Sequence, residues 1–399
     1  MITRMSPHRL SAVLAALATL GATAAPQQGG VSLLEPYETV TVTDKSLNVF
    51  RLKRLADIDP SDPLTGEPDT QTLSLFGRED LIAATSDDYR ATACAPAAGA
   101  GDVMDEIVRR ARKTSVVIVN ESHERSEHRG FTAALVLRLR AEGYAALGME
   151  ALSNPPPGTP MRRQPSVVRE PGLAYLLDED GYYLGEAAFG RLGRTAKRLG
   201  YALVPYEVQE SGTTTAMPPA KKIAFREEAQ ASALAAWIGT HPGEKLIVHV
   251  GYTHATETPR PDGTQWMAMR LRAKTGIDPL TISQTTCRGG GASRRLAALS
   301  GKEPAGTFDL IVDHPTARFV GGRPEWRMVA GDVPVAIPAA LRPARGWRVV
   351  EARPEGEPPD TVPMDRVAIR PGENLPLMLP PGRYRLRVLD PAPTPTPTD

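Results

Sequence analysis

Short apolar runs in the middle of the chain end, one after another, in a titratable or amide side chain. The clearest is residues 116–119, which Glu121 and His123 follow almost at once. Such runs are typical of buried strands, and parallel strands bring their carboxyl ends to one edge of a sheet. We therefore expect one cleft at that edge. The later runs, with the residues that end them, are 145–149 with Glu150, 202–206 with Glu207, 246–251 with Tyr252 and His254, 280–283 with Gln284, and 310–312 with Asp313 and His314.

The segments between these runs predict helices that cover the sheet. Residues 131–142 and 184–199 carry apolar residues at helical spacing, and each segment stops directly before a glycine. A third helix is predicted over residues 222–238, with Arg226 near its start. Strands and helices that alternate at these lengths indicate an α/β fold, a three-layer sandwich with a largely parallel central sheet.

The first 24 residues have the pattern of a secretory signal peptide. Arg4 and Arg9 precede an apolar stretch, and residues 22–24 are small enough for cleavage. We therefore expect a mature protein that begins near Ala25 and is secreted or periplasmic. No later segment has the roughly 20 apolar residues that a membrane-spanning helix needs, so we expect no transmembrane anchor.

Other regions flank the α/β segment, which we place at residues 101–316. Residues 25–100 contain strand-like pieces and a turn-rich run, and we expect an extended N-terminal arm there. After this segment, short alternating runs between Pro and Gly clusters predict a small C-terminal antiparallel β unit over 317–390. The Pro- and Thr-rich tail, 391–399, is expected to be disordered. The strand-like pieces outside the α/β segment are residues 38–42, 47–52, 326–329, 347–352, 366–369, 375–379 and 384–389.

Charge and cysteine content narrow the classes of function. The chain has 47 Lys and Arg against 46 Asp and Glu, and loss of Arg4 and Arg9 with the signal keeps this balance close to neutral. A neutral chain gives no support for nucleic-acid binding. Cys94 and Cys287 are the two cysteines. An oxidising compartment favours a disulfide between them, with two unpaired thiols as the alternative.

The acids and histidines at the strand ends permit two kinds of hydrolytic site. Glu121 and His123 are two residues apart, so an extended backbone points them to the same side. Without a metal, His123 is a general base oriented by a carboxylate such as Glu150, while Arg226 or His254 stabilises the oxyanion. With a metal such as zinc, manganese, iron or cobalt, the candidate ligands are His123, His254, Glu121, Glu150 and Glu207.

Other residues near these positions have simpler explanations. His249 lies inside an apolar run and is expected to be a core histidine. Glu227 and Glu228 suit the first turn of a helix, where the helix dipole favours acids. No G-x-S-x-G elbow surrounds Ser122 or Ser126, which disfavours a serine nucleophile. Three polar residues are expected to form a solvated rim: Glu124, Arg125 and Glu127.

The order of several short motifs resembles a known superfamily. The motifs are NESH at 120–123 followed by His128, GME at 148–150, FREEAQASALAAWI at 225–238 and VHVGYTH at 248–254. Over residues 105–315 they resemble the superfamily of erythromycin esterases, ChaN-type haem-binding proteins and Tiki/TraB proteases. One departure is that Asn120 stands where that pattern has a glycine.

The resemblance implies that five residues line one cleft: Glu121, His123, Glu150, Arg226 and His254. The families that it joins carry out metal-independent ester hydrolysis, metal-dependent proteolysis and haem binding. We expect an exported hydrolase that acts on an ester or amide in a small molecule or peptide. One alternative is a haem or small-ligand binding protein, with Tyr252, His128 and Glu207 as candidate cofactor contacts. The other is a non-catalytic envelope protein whose C-terminal β unit binds a partner.

Overall fold

The computed structural model describes residues 30–41, 47–64, 70–99, 101–182, 184–208, 216–299, 301 and 303–391. The expected signal peptide and residues 392–399 of the expected tail lie outside these ranges. The described residues form a mixed α/β fold with one large, mostly parallel sheet and smaller antiparallel sheets. The fold class expected from the sequence is therefore confirmed.

The strands and helices have the following bounds. The strands are β1 (Val31–Thr41), β2 (Val116–Glu121), β3 (Tyr144–Asn154), β4 (Ala202–Val208), β5 (Lys245–Gly251), β6 (Leu280–Ser283), β7 (Arg295–Ala297), β8 (Leu310–Asp313), β9 (Phe319–Val320), β10 (Arg323–Pro324), β11 (Val333–Val335), β12 (Arg348–Pro354), β13 (Asp365–Ile369), β14 (Leu377–Leu379) and β15 (Gly382–Asp390). The helices are α1 (Leu47–Asp57), α2 (Thr70–Leu75), α3 (Glu79–Ile82), α4 (Val103–Ala111), α5 (Ser126–Leu139), α6 (Ser166–Arg169), α7 (Ala187–Arg198), α8 (Pro219–Thr240), α9 (Met267–Thr275) and α10 (Trp326–Val329).

The large sheet has seven strands in the order β4-β3-β5-β2-β6-β8-β7. Every neighbouring pair is parallel except β7 and β8, which are antiparallel. All six apolar runs of the sequence lie in these strands, and the three periodic segments overlap α5, α7 and α8. The predicted parallel sheet and its helices are thus confirmed.

Alternation along β2 shows why helices cover both faces of the sheet. Val117 and Val119 pack in one core with residues of α4, α5 and α7. Val116 and Ile118 point to the other face and pack with residues of α8 and α9. Because successive side chains of a strand point to opposite faces, a strand apolar at every position needs a layer on each side.

The C-terminal region forms a four-stranded sheet in the order β1-β15-β12-β13. Its edge strand β1 comes from the N-terminal region and runs parallel to β15, whereas β12 is antiparallel to both β13 and β15. The described N-terminal residues are therefore more folded than the extended arm that the sequence suggested. The boundaries between domains remain predictions.

Two of the short strand predictions are wrong. Residues 47–52 belong to α1, where Leu52 and Leu55 are three residues apart and pack against the C-terminal sheet. Residues 326–329 form α10, whose Trp326 packs against α5. Alternation over four to six residues does not separate strand from helix, and tertiary packing decides between them.

Cys94 and Cys287 form a disulfide with a Cα–Cα distance of 5.9 Å. The bond connects the segment before α4 to the loop that follows β6. The expected pairing is thereby confirmed. None of the helices that the structure describes is long and apolar enough to span a bilayer.

Candidate active site

Glu121, the last residue of β2, anchors the site. Its side chain is 1% exposed, and Arg129 in the first turns of α5 lies 2.8 Å from Oε2 and donates to Oε1 at 2.9 Å. His249 Nε2 lies 3.3 Å from Oε2. Burial raises the pKa of Glu121, but the charges of Arg129 and His249 outweigh it and lower that pKa to about 2. Glu121 is therefore a carboxylate at neutral pH.

His123 is oriented by this carboxylate. Its Nδ1 atom lies 3.0 Å from Glu121 Oε1. An ionised carboxylate only accepts hydrogen bonds, so Nδ1 carries the hydrogen and Nε2 of the neutral ring has a lone pair. His123 Nε2 and Glu150 Oε2 lie 2.7 Å and 3.0 Å from the position that a Cβ atom on Gly251 would occupy. The absence of a side chain at Gly251 lets the two groups approach each other.

Glu150, on β3, contacts groups from β5, from the turn after β5 and from α8. It is 4% exposed, and its Oε2 atom accepts a hydrogen bond from the Gly251 N–H. Its Oε1 atom pairs with Arg226 and lies 3.5 Å from His254 Nε2. Burial opposes ionisation, yet the neighbouring His254, Arg226 and His123 lower the pKa of Glu150. The pairing register of β3 with β4 shifts directly after Met149, at the position of Glu150.

His254 repeats the arrangement of His123 with a different acid. Its Nδ1 atom lies 2.5 Å from Oε1 of the buried Glu227, whose Oε2 atom accepts from the Met267 N–H at 2.7 Å. Burial disfavours the imidazolium, but Glu150 and Glu227 outweigh burial and raise the pKa of His254. When His254 is protonated, its Nε2–H is on the side of the Glu150 carboxylate.

Arg226 closes the side of the cleft formed by α8. Its Nε donates to Glu207 Oε1 at 2.8 Å, and its Nη2 contacts both Glu207 and Glu150. Its Nη1 lies 3.2 Å from His254 Nε2. Burial raises the pKa of Glu207 more than Arg226 lowers it. With 30% of its side chain exposed, Arg226 is the cation of this group that a ligand can reach.

Tyr252 links the cleft to the N-terminal region. Its backbone has a φ of 40°, and its hydroxyl donates to Asp88 Oδ2 at 2.7 Å. The same hydroxyl accepts from the His123 N–H at 3.3 Å, and Ser122 Oγ also bonds Asp88. Asp88 belongs to a single 3-10 turn, and the disulfide of Cys94 follows it closely. The N-terminal region thus helps to position the backbone of His123.

The structure brings most of the sequence-predicted residues into one cleft. The residues that meet there are Glu121, His123, Glu150, Glu207, Arg226, Tyr252 and His254. His128 does not join them, because its side chain is buried and its Nδ1 accepts from the Ser122 N–H at 2.9 Å. Instead, His128 packs beside His314, with ring centroids 5.1 Å apart.

The expected solvated rim is wrong. Arg125 and Glu127 are buried and pair with each other at 2.7 Å. Glu124 is half-buried and accepts hydrogen bonds from Thr70 and Ser86. These contacts come from the N-terminal region, which packs over the polar segment after β2.

Sequence reasoning missed Arg129 and Asp88 and misjudged Glu227. Glu227 is not a first-turn residue, because α8 begins at Pro219, and it lies on the buried face of the helix. That face also carries Ala231 and Leu234, four and seven residues later. An acid in register with apolar residues was the signal that could have identified it. Arg129, two residues before the apolar Phe131, offered a similar but weaker signal.

Asn120 has a clear structural role. Its side chain is buried, donates to Tyr252 O at 2.6 Å and to Thr285 Oγ1 at 2.9 Å, and accepts from the Gln284 N–H at 2.6 Å. It therefore ties β2 to the segments that follow β5 and β6. A glycine would make none of these side-chain bonds.

The metal site and the haem contacts Tyr252 and His128, both considered from the sequence, do not fit the cleft. Among the described residues, no three His, Cys, Asp or Glu side chains are arranged to hold a metal ion. For haem, burial and the nearby Asp88 raise the pKa of Tyr252, which opposes a phenolate ligand. His128 is buried and cannot reach a ligand in the cleft. We therefore derive no chemical step through a metal or haem.

Comparisons with known proteins assign no family. No family model matches the chain, and no curated protein matches its sequence. One similar solved structure is the type III effector HopBA1, at 15% identity, covering 58% of this chain and 99% of that chain with a TM-score of 0.36. ChaN of Campylobacter jejuni, with cofacial haem, is 11% identical over 53% of this chain and 91% of its own, with a TM-score of 0.34.

A third similar structure is RRSP, a MARTX toxin effector domain from Vibrio vulnificus. It is 14% identical, and the match covers 60% of this chain with a TM-score of 0.37. The match spans 55%, about half, of the RRSP chain. Likenesses this distant carry no argument about activity, so the function must be argued from the site itself.

Proposed function

We propose that the protein is an exported hydrolase that attacks an ester or amide with water, using His123 as general base and His254 as general acid. The observation that carries the proposal is the matched arrangement of the two imidazoles. Each Nδ1 is held by a buried carboxylate, Glu121 or Glu227, and each Nε2 is on the side of Glu150. Two oriented imidazoles at one cleft supply what acid–base hydrolysis needs.

The base role suits His123 because its hydrogen is fixed on Nδ1. The ionised Glu121 also stabilises the imidazolium that forms when Nε2 takes a proton from water. Arg129 keeps Glu121 charged and buried, so this carboxylate positions His123 and takes no part in proton transfer. The oxygen of the activated water then bonds to the acyl carbon.

The acid role suits His254 because its pKa is raised, so the ring keeps its proton to a higher pH than an ordinary histidine does. That proton goes to the leaving oxygen or nitrogen as its bond to the acyl carbon breaks. Arg226 is the exposed cation beside His254 and is placed to stabilise the negative charge on the acyl oxygen. One proton is taken at His123 and one is given at His254. The starting state returns when His123 releases its proton to solvent and His254 takes one up.

Export is supported by the signal-like first 24 residues and by the disulfide between Cys94 and Cys287. Water, an ester or amide and the chain's own side chains are all that the proposed reaction requires.

The test is hydrolysis of a panel of nitrophenyl esters, lactones and short peptides by the mature protein. We expect at least one substrate to be turned over by wild type, and expect His123→Gln and His254→Gln to abolish most of that turnover. His241→Gln is the matched control, since His241 stacks on Trp237 at the far end of α8. The proposal fails if no member of the panel is hydrolysed, or if all three variants retain wild-type rates.

A further inference from the structure

A second cleft, of about 460 Å³, lies between α5 and α10. Of the described residues that line it, none belongs to the candidate active site. Phe131 and Ala134 of α5 form one wall, and Trp326 and Val329 of α10 form another. Arg294 and Arg318 come from loops at its edge. A volume of this size is within the range of pockets that hold small molecules.

The aromatic wall of this second cleft is fixed in place. Trp326 Nε1 donates to Ser126 Oγ at 3.0 Å. Its ring packs so closely on Gly130 that a Cβ atom there would lie 2.4 Å from the ring. Next to it, Val329 has 86% of its side chain exposed. A flat aromatic surface that is already immobilised offers a ligand a contact without a further ordering cost.

The charge at the edge of the second cleft is unbalanced. Arg294 and Arg318 are both exposed, and neither forms an ion pair with a described residue. The Arg294 guanidinium instead lies over the Phe131 ring, 4.8 Å from its centroid, with its Nε 3.4 Å from His314 Nδ1. These two cations and the Trp326 wall face the same space.

The acids that line the second cleft compensate only part of this charge. Glu127 is paired with Arg125, and the buried Glu79 accepts from the hydroxyls of Ser126 and Tyr89. Burial raises the pKa of Glu79. Glu325 is the remaining carboxylate of the described lining, against the two arginines at the edge.

We infer that the second cleft is a binding site for a small organic anion with an aromatic or aliphatic body. The ring or chain of the ligand lies against Trp326 and Val329, and its acidic group pairs with Arg294 and Arg318. Arginine is suited to this role because it combines a permanent charge with a planar face. The inference is independent of the proposed hydrolase, since the two clefts share no described lining residue.

The test uses two fluorescent probes on the full-length protein: anilinonaphthalene sulfonate, an aromatic anion, and phenylnaphthylamine, its uncharged counterpart. We expect saturable binding of the anion, and a rise in its Kd of about tenfold or more when Arg294→Gln and Arg318→Gln are combined, because a charge-assisted contact is worth about 1.5–3 kcal/mol. The Kd of the uncharged probe should change less than about twofold. Val329→Glu places a carboxylate at the mouth of the second cleft, and it should also raise the Kd of the anionic probe.

The matched control combines Arg162→Gln and Arg345→Gln, two exposed arginines that lie outside this lining and form no ion pair with a described residue. It should leave both Kd values unchanged. Any of three results overturns the inference. The anionic probe shows no saturable binding, the two double variants change its Kd equally, or the Arg294→Gln and Arg318→Gln double variant weakens the binding of both probes equally. Thermal unfolding of each variant separates loss of binding from loss of fold.

Discussion

Two clusters of buried charge among the described residues are built alike and differ in one component. In the candidate active site, Arg129 holds the buried Glu121, and Glu121 in turn holds an imidazole. In the second, which we call the Glu351 cluster, a fully buried carboxylate accepts from three arginines. Its members are Glu351, Arg353, Arg366, Arg387 and the nearby Asp178.

The Glu351 cluster joins parts of the chain that are far apart in sequence. Arg353 pairs with Glu351 at 2.6 Å, and Arg366 contacts both Glu351 and Gly185 O. Burial raises the pKa of Glu351, but Arg353 and Arg366 hold it far below its usual range. Arginine does not deprotonate in proteins, so the three arginines that contact Glu351 stay charged near neutral pH.

The active-site cluster contains two histidines and opens to solvent through Arg226. One of them, His254, has a raised pKa and can carry a proton, whereas the Glu351 cluster contains no imidazole. The comparison teaches that a buried carboxylate paired with arginine is a general support in this fold. The two clusters differ in the next group that the carboxylate binds. A further arginine gives a structural cluster, whereas an imidazole gives a cluster that can take part in proton transfer.

The largest expected effect is that of His123→Gln on hydrolysis. Loss of the general base should lower kcat by about 10²–10⁴-fold, because this is the usual contribution of acid–base catalysis. The melting temperature should stay close to that of wild type, since His123 lies at the cleft surface. Rates on the best ester of the panel, measured beside His241→Gln, check this. If His123→Gln loses stability but keeps its activity, His123 has a structural role like that of the Glu351 cluster.

Glu351→Gln should have the opposite profile. Removing the charge leaves buried arginines without their partner, and we expect a loss of about 3–5 kcal/mol in the free energy of unfolding. The control is Glu355→Gln, which breaks the exposed pair with Arg383 and should leave the free energy of unfolding close to that of wild type. Urea unfolding measures both. Equal losses in the two variants would contradict the structural role of the Glu351 cluster.

The stability of wild type should fall as pH drops below about 6.5. Burial lowers the pKa of His128, His249 and His314, so below this pH the unfolded chain binds protons that the folded chain does not. Each of them that stays neutral contributes a slope of about 1.4 kcal/mol per pH unit. The raised pKa of His254 affects a different pH range. The stabilisation that it contributes is complete below about pH 6.5, and it is lost as the pH rises through the pKa of His254 in the folded state.

Urea unfolding between pH 7 and pH 5 checks this slope. The Glu351→Gln variant should be destabilised at both ends of the range, because the arginines of its cluster keep their charge throughout. A flat wild-type curve, or a Glu351→Gln variant as stable as wild type at either end, would remove the distinction between the clusters.

The smallest expected effect is that of Asp88→Asn. The change weakens the bonds from Tyr252 and Ser122 that hold the His123 backbone, and we expect kcat to fall by about fivefold, which corresponds to about 1 kcal/mol. Asp87→Asn is the control, because the Asp87 side chain is 80% exposed and pairs with Arg90. Equal rates in the two variants would show that the N-terminal region does not position the site.

The strands and their polar ends were predictable because they depend on local patterns. The apolar runs before Glu121, Glu150 and Glu207 are short, continuous and bounded, and parallel strands place such ends together. The residues that hold these strand ends in place were harder to predict. Glu227 required the true start of α8, and Asp88 required knowledge that the N-terminal region packs on the segment after β2. Contacts between distant segments leave no periodic signal in a single sequence.

The same reason explains the wrong interpretation of Arg125 and Glu127. A run of charged residues after a strand has the pattern of a solvated surface, and nothing in the local sequence reveals the residues that cover it. Residues 326–329 failed in a similar way, since their helix is decided by the packing of Trp326 on Gly130.

The titration of His254 tests the central claim most directly, because it does not depend on knowing a substrate. Histidine labelled at Cε1 gives a separate NMR signal for each histidine, and His254→Gln assigns the relevant one. We predict that His254 titrates above about 6.5 in wild type, that Glu227→Gln lowers its pKa, and that Glu355→Gln leaves it unchanged. A His254 pKa at or below about 6.5 that Glu227→Gln does not move would contradict the account.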